Sequence, residues 1–161
     1  MKCKACIELY AEKAECVSHS KVQVAERSKV YCLVNDDRKE ICRVVVDAYK
    51  EDAEKKKCDW LFLVETKQRK QSVVDLAIFI ELKGTDWRSS LKQLQQTVQE
   101  ERKKMPNARI LIRLVALGFS RENLNESGSP RAFKKFLQNN KIDFKPSNGR
   151  SGKLTESLQD L

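Results

Sequence analysis

Apolar residues in the middle of the chain come in short runs rich in β-branched and aromatic side chains, a pattern typical of β-strands. Residues 30–35 and 41–49 are two such runs, and the polar sequence between them predicts that they form a hairpin. Three later runs are almost continuously apolar and predict strands that are buried on both faces. They are residues 58–65, 73–84 and 109–119.

Apolar positions recur at helical spacing in three other segments. After Gly84 they repeat every three or four residues until Pro106, which predicts a helix. A further helix is predicted to begin at Ser129 and Pro130, because proline is favoured in the first turn. Residues 3–17 predict an amphipathic first helix.

The order of these segments predicts an α/β protein. The strand–helix–strand succession around residue 84 implies at least one parallel pair of strands, in a sheet covered by helices. A chain of 161 residues suffices for one domain. Within it, residues 1–28 are expected to be helical, with a short second helix near residues 22–27, and residues 146–161 to form an irregular tail.

The chain is strongly basic. It has 32 Lys and Arg against 23 Asp and Glu, a formal net charge of +9, and basic surfaces of this kind usually bind polyanions. No apolar run is long enough to span a membrane. No export signal is visible at the N-terminus, which favours a cytoplasmic location. The six cysteines are therefore expected to be reduced thiols.

Three charged residues stand at the ends of predicted strands. Side chains alternate between the two faces of a strand, so Glu81 and Lys83 share one face. Asp59 lies at the start of the preceding strand. If the two strands are neighbours, Asp59 and Glu81 approach closely enough to bind one hard divalent cation, with Lys83 beside it. The simpler alternative is an ion pair at the end of the strand.

This arrangement resembles the PD-(D/E)XK nuclease superfamily, which has the restriction-endonuclease-like fold. The resemblance covers residues 59–117 and rests on Asp59, on the E-x-K pattern of Glu81 and Lys83, and on a following helix that carries Gln93. It implies a three-layer αβα sandwich with a central mixed sheet, Mg²⁺ or Mn²⁺ as cofactor, and cleavage of phosphodiester bonds, usually in DNA. By this resemblance Asp59 and Glu81 are metal ligands, Lys83 is the catalytic lysine, and Gln93 joins the catalytic site.

The sequence departs from the family pattern at two points. Cys58 stands where the pattern has proline. A glutamate that many active members carry in the first helix has no unique counterpart, because four glutamates compete for its place. They are Glu8, Glu12, Glu15 and Glu26. Asp47, in the predicted strand before Asp59, is a further candidate acid.

Basic residues close in sequence to these acids are candidates for binding a nucleic-acid backbone, the alternative being an ordinary solvated charge. They are Lys55, Lys56, Lys57, Lys67, Arg69, Lys70 and Arg88. Trp87 adjoins Arg88, but its place in the apolar stripe of the predicted helix favours core packing.

Four N-terminal residues have the pairwise spacing of zinc ligands. They are Cys3, Cys6, Cys16 and His19. A continuous helix over residues 3–17 would hold the two pairs apart, which favours core or free cysteines over a Zn²⁺ site.

Three functions follow from these patterns. The first is a Mg²⁺-dependent nuclease acting on DNA. The second is a catalytically inactive nuclease-fold module that binds nucleic acid or a protein partner, and the third is a zinc-containing adaptor. Analogy with the fold alone also suggests a homodimer, because cutting both strands of a duplex needs two sites.

Overall fold

The computed structural model describes residues 2–46 and 58–161, which form two β-sheets and three α-helices. The helices are α1 (Lys4–Tyr10), α2 (Trp87–Glu101) and α3 (Ser129–Asn140). The strands are β1 (Ala14–Val17), β2 (Lys21–Glu26), β3 (Lys29–Val34), β4 (Ile41–Val45), β5 (Trp60–Gln68), β6 (Gln71–Lys83), β7 (Arg109–Ala116), β8 (Asp143–Pro146) and β9 (Lys153–Ser157). No helix in these two ranges is long and apolar enough to cross a membrane.

The larger sheet has six strands in the order β1-β4-β5-β6-β7-β8. Within this sheet β1, β4, β5 and β6 pair antiparallel in succession, whereas β6, β7 and β8 pair parallel. The expected mixed sheet is therefore confirmed, as are the pairing of β5 with β6 and the crossover from β6 through α2 to β7.

All three helices pack on one face of this sheet, in a core with side chains such as Leu61, Phe79 and Ile112. The connections β6–α2–β7 and β7–α3–β8 advance in the same direction across the sheet. Because such crossovers are almost always right-handed, α2 and α3 fall on the same side.

The opposite face of the large sheet is covered by a three-stranded sheet with the order β2-β3-β9. Val22, Val24 and Leu33 of this small sheet pack against Phe62 and Ile78 of the large one. In the described ranges the layers are thus helix, sheet and sheet, which corrects the expected αβα arrangement. Because the helices of both crossovers lie on the first face, the second face is covered by the strands of the small sheet.

Several N-terminal expectations were wrong. The first helix ends at Tyr10, where Ala11 adopts a φ of 48°, and the chain continues into β1. Residues 21–26 form a strand, not a helix, and their alternating Val22 and Val24 face the core. The runs 30–35 and 41–49 do not form a hairpin, because β3 and β4 belong to different sheets.

The C-terminal tail is also more regular than expected. It contains β9, which pairs parallel with β3 and completes the small sheet. No local pattern in residues 146–161 shows this pairing, because the partner strand lies near the start of the chain.

Four of the six cysteines form disulfides, contrary to the expectation of reduced thiols. Cys3 is bonded to Cys16 and Cys6 to Cys42, with Cα–Cα distances of 5.8 and 6.3 Å. Cys16 and Cys42 are directly opposite in the β1–β4 pair, and Cys3 and Cys6 approach them from α1. Cys32 and Cys58 are buried free thiols.

A buried ionic network joins the two sheets. Arg113 of β7 is 1% exposed, and its Nε donates to Glu156 Oε1 of β9 at 2.6 Å. The hydroxyl of Tyr31 in β3 donates to the same oxygen, also at 2.6 Å, and Arg113 Nη2 donates to Asp143 at 2.9 Å. These bonds satisfy charges that would otherwise be costly to bury.

Candidate active site

Asp59 and Glu81 meet where the antiparallel pair of β5 and β6 ends. The last paired residues are Trp60 and Ile80, so one further step places Asp59 opposite Glu81 on the same face of the sheet. The backbone N–H of Asp59 donates to Glu81 Oε2 at 3.1 Å, and the N–H of Leu82 donates to Asp59 Oδ2 at 2.8 Å. Each carboxylate is thus oriented by the backbone of the other strand.

Lys83 lies on the same strand face as Glu81, two residues further along β6. Ala77 and Phe79, which share this alternation, pack in the core on the helix side of the sheet. Glu81 is 1% exposed, whereas Asp59 and Lys83 are only partly buried. The site therefore has a buried acid at its base and a partly accessible acid and amine at its rim.

Gln93 lies on α2, one turn before a residue that contacts the segment leading into β5. The hydroxyl of Thr97, one turn later, donates to the Gln93 carbonyl at 2.8 Å and accepts from the N–H of Cys58 at 2.9 Å. This fixes α2 against the residue before Asp59. The side-chain oxygen of Gln93 is buried and has no hydrogen-bond partner among the described residues. An oxygen in this condition is suited to accept a hydrogen bond from a bound water.

Cys58 lies beside the acids but is unsuited to act as a nucleophile. Burial raises the pKa of its thiol well above the usual value, and the charges of Glu81 and Asp59 raise it further. The thiol therefore stays protonated at neutral pH.

The residues present fit a hard divalent cation. Residues directly opposite in an antiparallel pair have Cβ atoms about 4.5–5.5 Å apart, which lets two carboxylates share one ion. Carboxylate oxygens and waters are the ligands that Mg²⁺ and Mn²⁺ prefer. Asp59 and Glu81 are the residues that would supply the carboxylates of such an ion, and Gln93 has a buried amide oxygen that could accept from a water.

The basic residues of the β5–β6 turn, which were expected to bind nucleic acid beside the acids, are not found there. Lys67, Arg69 and Lys70 lie at the β5–β6 turn, and ten residues of β6 separate that turn from Glu81. At about 3.3 Å per residue this is roughly 30 Å, so the structure does not bring these side chains to the acids. Lys55, Lys56, Lys57 and Asp47 lie outside the described residues.

Arg88 lies at the start of α2 but already has partners. Its guanidinium donates to Glu126 at 2.6 Å and stacks over the ring of Trp87 at 4.2 Å. Trp87 itself is 5% exposed and packs edge-on against Phe119, which confirms its place in the core.

The proposed zinc ligands are not brought together. Cys3 and Cys6 are in different disulfides, neither of which includes His19, and His19 is exposed. In residues 2–46 and 58–161, one group of three or more candidate ligands is close together, namely Cys3, Cys16 and Glu40. The disulfide between its two cysteines consumes their ligand atoms.

None of the four N-terminal glutamates considered for the site is buried. Glu8, Glu12, Glu15 and Glu26 are all exposed. The buried glutamate near α1 is instead Glu101, which accepts hydrogen bonds from Tyr10 and Lys104 at 2.8 Å each. No local pattern indicates this burial, because Glu101 stands in the charged run EERKK.

No family model, curated protein or solved structure matches this chain.

Proposed function

We propose that this chain is a metal-dependent nuclease that hydrolyses phosphodiester bonds in DNA. The observation that carries the proposal is the pair of reciprocal hydrogen bonds that holds Asp59 and Glu81 opposite each other at the end of β5 and β6. Such a pair, with an amine on the same face, is the set needed for metal-assisted phosphodiester hydrolysis.

The order of the strands supports a restriction-endonuclease-like core. β4, β5 and β6 form an antiparallel meander, α2 crosses over, and β7 pairs parallel with β6. With α1 preceding them, these elements follow one another as αβββαβ, the core that the resemblance implies, and β1, β2 and β3 are inserted after α1. The small sheet on the second face is an addition to that core.

The side chains have distinct roles in this proposal. Asp59 and Glu81 would hold Mg²⁺ or Mn²⁺, which when bound would supply an acidified water and offset phosphate charge. Lys83 stabilises the negative charge that develops on the phosphate, because its ammonium shares the face of Glu81. Gln93 accepts a hydrogen bond from a water and orients it. The net charge of +9 favours a polyanionic substrate.

A second candidate is a catalytically inactive module that binds nucleic acid. It is favoured by the exposure of Glu8, Glu12, Glu15 and Glu26, because an additional N-terminal acid of the kind seen in many active members is then missing from these four positions. The two functions differ in whether DNA is cut after it binds.

The test is nicking of supercoiled plasmid with Mg²⁺ or Mn²⁺ by the wild type and by Glu81→Gln and Lys83→Met. Each substitution should lower the rate by about 100-fold or more, since each removes a group that acts on the reacting phosphate. Asp75→Asn and Lys67→Met are matched controls, because both residues are exposed on the same β5–β6 hairpin. Both controls should retain the wild-type rate.

Two further measurements separate the alternatives. Calorimetric titration with Mn²⁺ should give one site per chain that Glu81→Gln abolishes. Folded wild-type protein that binds DNA but never cuts it would contradict the nuclease and support the inactive module. Wild-type rates in Glu81→Gln would exclude Glu81 from catalysis.

A further inference from the structure

The loop that follows β8 lies across the edge of the large sheet where the candidate site is found. β6, β7 and β8 are parallel, so their carboxyl ends meet at one edge, here called the carboxyl edge. The N–H of Leu117 donates to the Gly84 carbonyl at 3.1 Å, and the N–H of Gly118 donates to the Gly149 carbonyl at 2.9 Å. Two backbone bonds thus connect the end of β6 to this loop.

The same loop also contacts the turn between β2 and β3. The N–H of Val30 donates to the Gly152 carbonyl at 2.7 Å. A Cβ added to Gly152 would lie 2.7 Å from the carbonyl oxygen of Ser28, and one added to Gly149 would lie 2.9 Å from that of Phe119. Both distances are too short for a side chain, so glycine is what lets the loop approach both turns closely.

These contacts collect basic residues from two distant segments. The group, here called the edge patch, comprises Arg27, Lys29, Arg150 and Lys153. Arg27, Arg150 and Lys153 are exposed and Lys29 is partly exposed. Glu26 is paired with Lys29 in the β2–β3 register and adds an acid beside this group.

Arg27 and Arg150 differ from most arginines of the protein. Seven others donate hydrogen bonds through their guanidinium groups, and these are Arg43, Arg88, Arg102, Arg109, Arg113, Arg121 and Arg131. In the part of the chain that the structure describes, the guanidinium groups of Arg27 and Arg150 have no such bond. Their donors are available to a ligand.

We propose that the edge patch binds the sugar–phosphate backbone of the nucleic acid whose cleavage is proposed above. Arginine forms two parallel hydrogen bonds to a phosphate, and such contacts position a duplex without reading its sequence. The loop residues Asn148, Gly149, Arg150, Ser151 and Gly152 include no large apolar side chain. A membrane surface is therefore the poorer partner, because interfacial binding needs an apolar anchor.

The test compares two double variants that carry the same change in charge. Arg27→Glu/Arg150→Glu reverses the edge patch, whereas Arg38→Glu/Lys141→Glu reverses two exposed basic residues in other turns. Binding of a fluorescent DNA duplex is measured by anisotropy in EDTA, so that cleavage does not interfere, at several salt concentrations. The edge-patch variant should bind at least about 10-fold more weakly, with a salt slope lower by about 2. The control should stay within about threefold of the wild type.

Equal affinities of the two double variants would overturn the edge patch, as would a wild type that binds phosphatidylserine vesicles but not DNA. The outcome is separate from that of the proposed nuclease. A wild type that binds DNA through the edge patch without cutting it supports this inference and contradicts the nuclease. A wild type that cuts DNA, together with an edge-patch variant that binds DNA normally, would support the nuclease and contradict the edge patch.

Discussion

The backbone N–H of Asp59 donates to the carboxylate of Glu81, while the carboxylate of Asp59 accepts from the residue after Glu81. Asp59→Asn keeps an oxygen that can accept from Leu82, so the free energy of unfolding should change by less than about 1 kcal/mol. Asp59→Ala leaves that N–H without its acceptor and should cost about 1–3 kcal/mol. Urea unfolding measures both changes.

Both substitutions should nevertheless abolish Mn²⁺ binding, because each removes a carboxylate. This separates the structural and the chemical roles of one side chain. Normal Mn²⁺ affinity in Asp59→Asn would show that Asp59 only connects the strands.

The unpartnered oxygen of Gln93 gives a prediction with opposite effects on stability and activity. Gln93→Leu removes a buried polar atom that has no partner among the described residues, so stability should be unchanged or rise by about 1 kcal/mol. The nicking rate should fall by about 10-fold or more, because a water loses its acceptor. Gln96→Leu, in the groove that α2 forms with Ser129 and Ala132 of α3, is the control for both measurements. An unchanged nicking rate would remove Gln93 from the site.

The bond between Arg113 and Glu156 predicts a large, non-additive effect on stability. Arg113→Met leaves the carboxylate of Glu156 buried without its main partner and should cost about 3–5 kcal/mol. Arg113→Met/Glu156→Gln should cost less than the sum of the single changes, because no buried charge is then left unpaired. Chemical unfolding of the four proteins gives this coupling. Additive costs would mean that the pair does not connect the sheets energetically.

The buried thiols predict a loss of stability in alkaline solution. Burial raises the pKa of both Cys58 and Cys32 above the usual value of 9.0. The unfolded chain therefore releases these protons first, so their contribution to stability is complete below about pH 9 and falls as the pH rises further. Each thiol lowers the free energy of unfolding by at most about 1.4 kcal/mol per pH unit in this range. Tyr31, whose pKa is raised by burial and by Glu156, should add to the loss above pH 10.

Cys58→Ala isolates one part of this effect. Its stability should decline less steeply between pH 9 and pH 10.5 than that of the wild type, whatever the cost of the cavity at pH 7. Urea midpoints across this range measure the slope. Parallel curves for the two proteins would contradict a raised pKa for Cys58.

The disulfides predict the number of reactive thiols. In denaturant without a reductant, two cysteines should react with iodoacetamide, and all six should react after reduction. Loss of the Cys3–Cys16 bond in Cys3→Ser/Cys16→Ser should lower stability by about 3 kcal/mol. Six reactive thiols before reduction would show that the bonds do not form in solution and would restore the expectation of a reduced protein.

The residues of the candidate site were accessible to sequence reasoning because their signals are local. The alternation of β6 fixed the shared face of Glu81 and Lys83, and the short connection between β5 and β6 made Asp59 a neighbour. The helix stripe after Gly84 placed α2 correctly for the same reason. In each case either the residue's spatial partner is close along the chain, or the periodic pattern extends over enough residues to identify the element.

The errors concern contacts between distant segments. β3 and β4 both have a strand pattern, but nothing in residues 29–45 shows that β3 pairs with β9 instead. The edge patch was missed because Arg27 and Arg150 are far apart in sequence and join only through Gly152. Basic residues near the acids in sequence, such as Lys67, were favoured although an extended hairpin carries them away from the site.

The pairing of β9 with β3 also has a consequence for how the chain is made. Tyr31 and Glu156 are 125 residues apart, so the small sheet cannot be completed until residues 153–157 have left the ribosome. Until then the apolar face of the large sheet, with Phe62 and Ile78, lacks part of its cover. A nascent chain in this state is prone to aggregate and is a natural client for a chaperone. Emergence of residues 153–157, rather than formation of the large sheet, is the step at which we expect the fold to become protease-resistant.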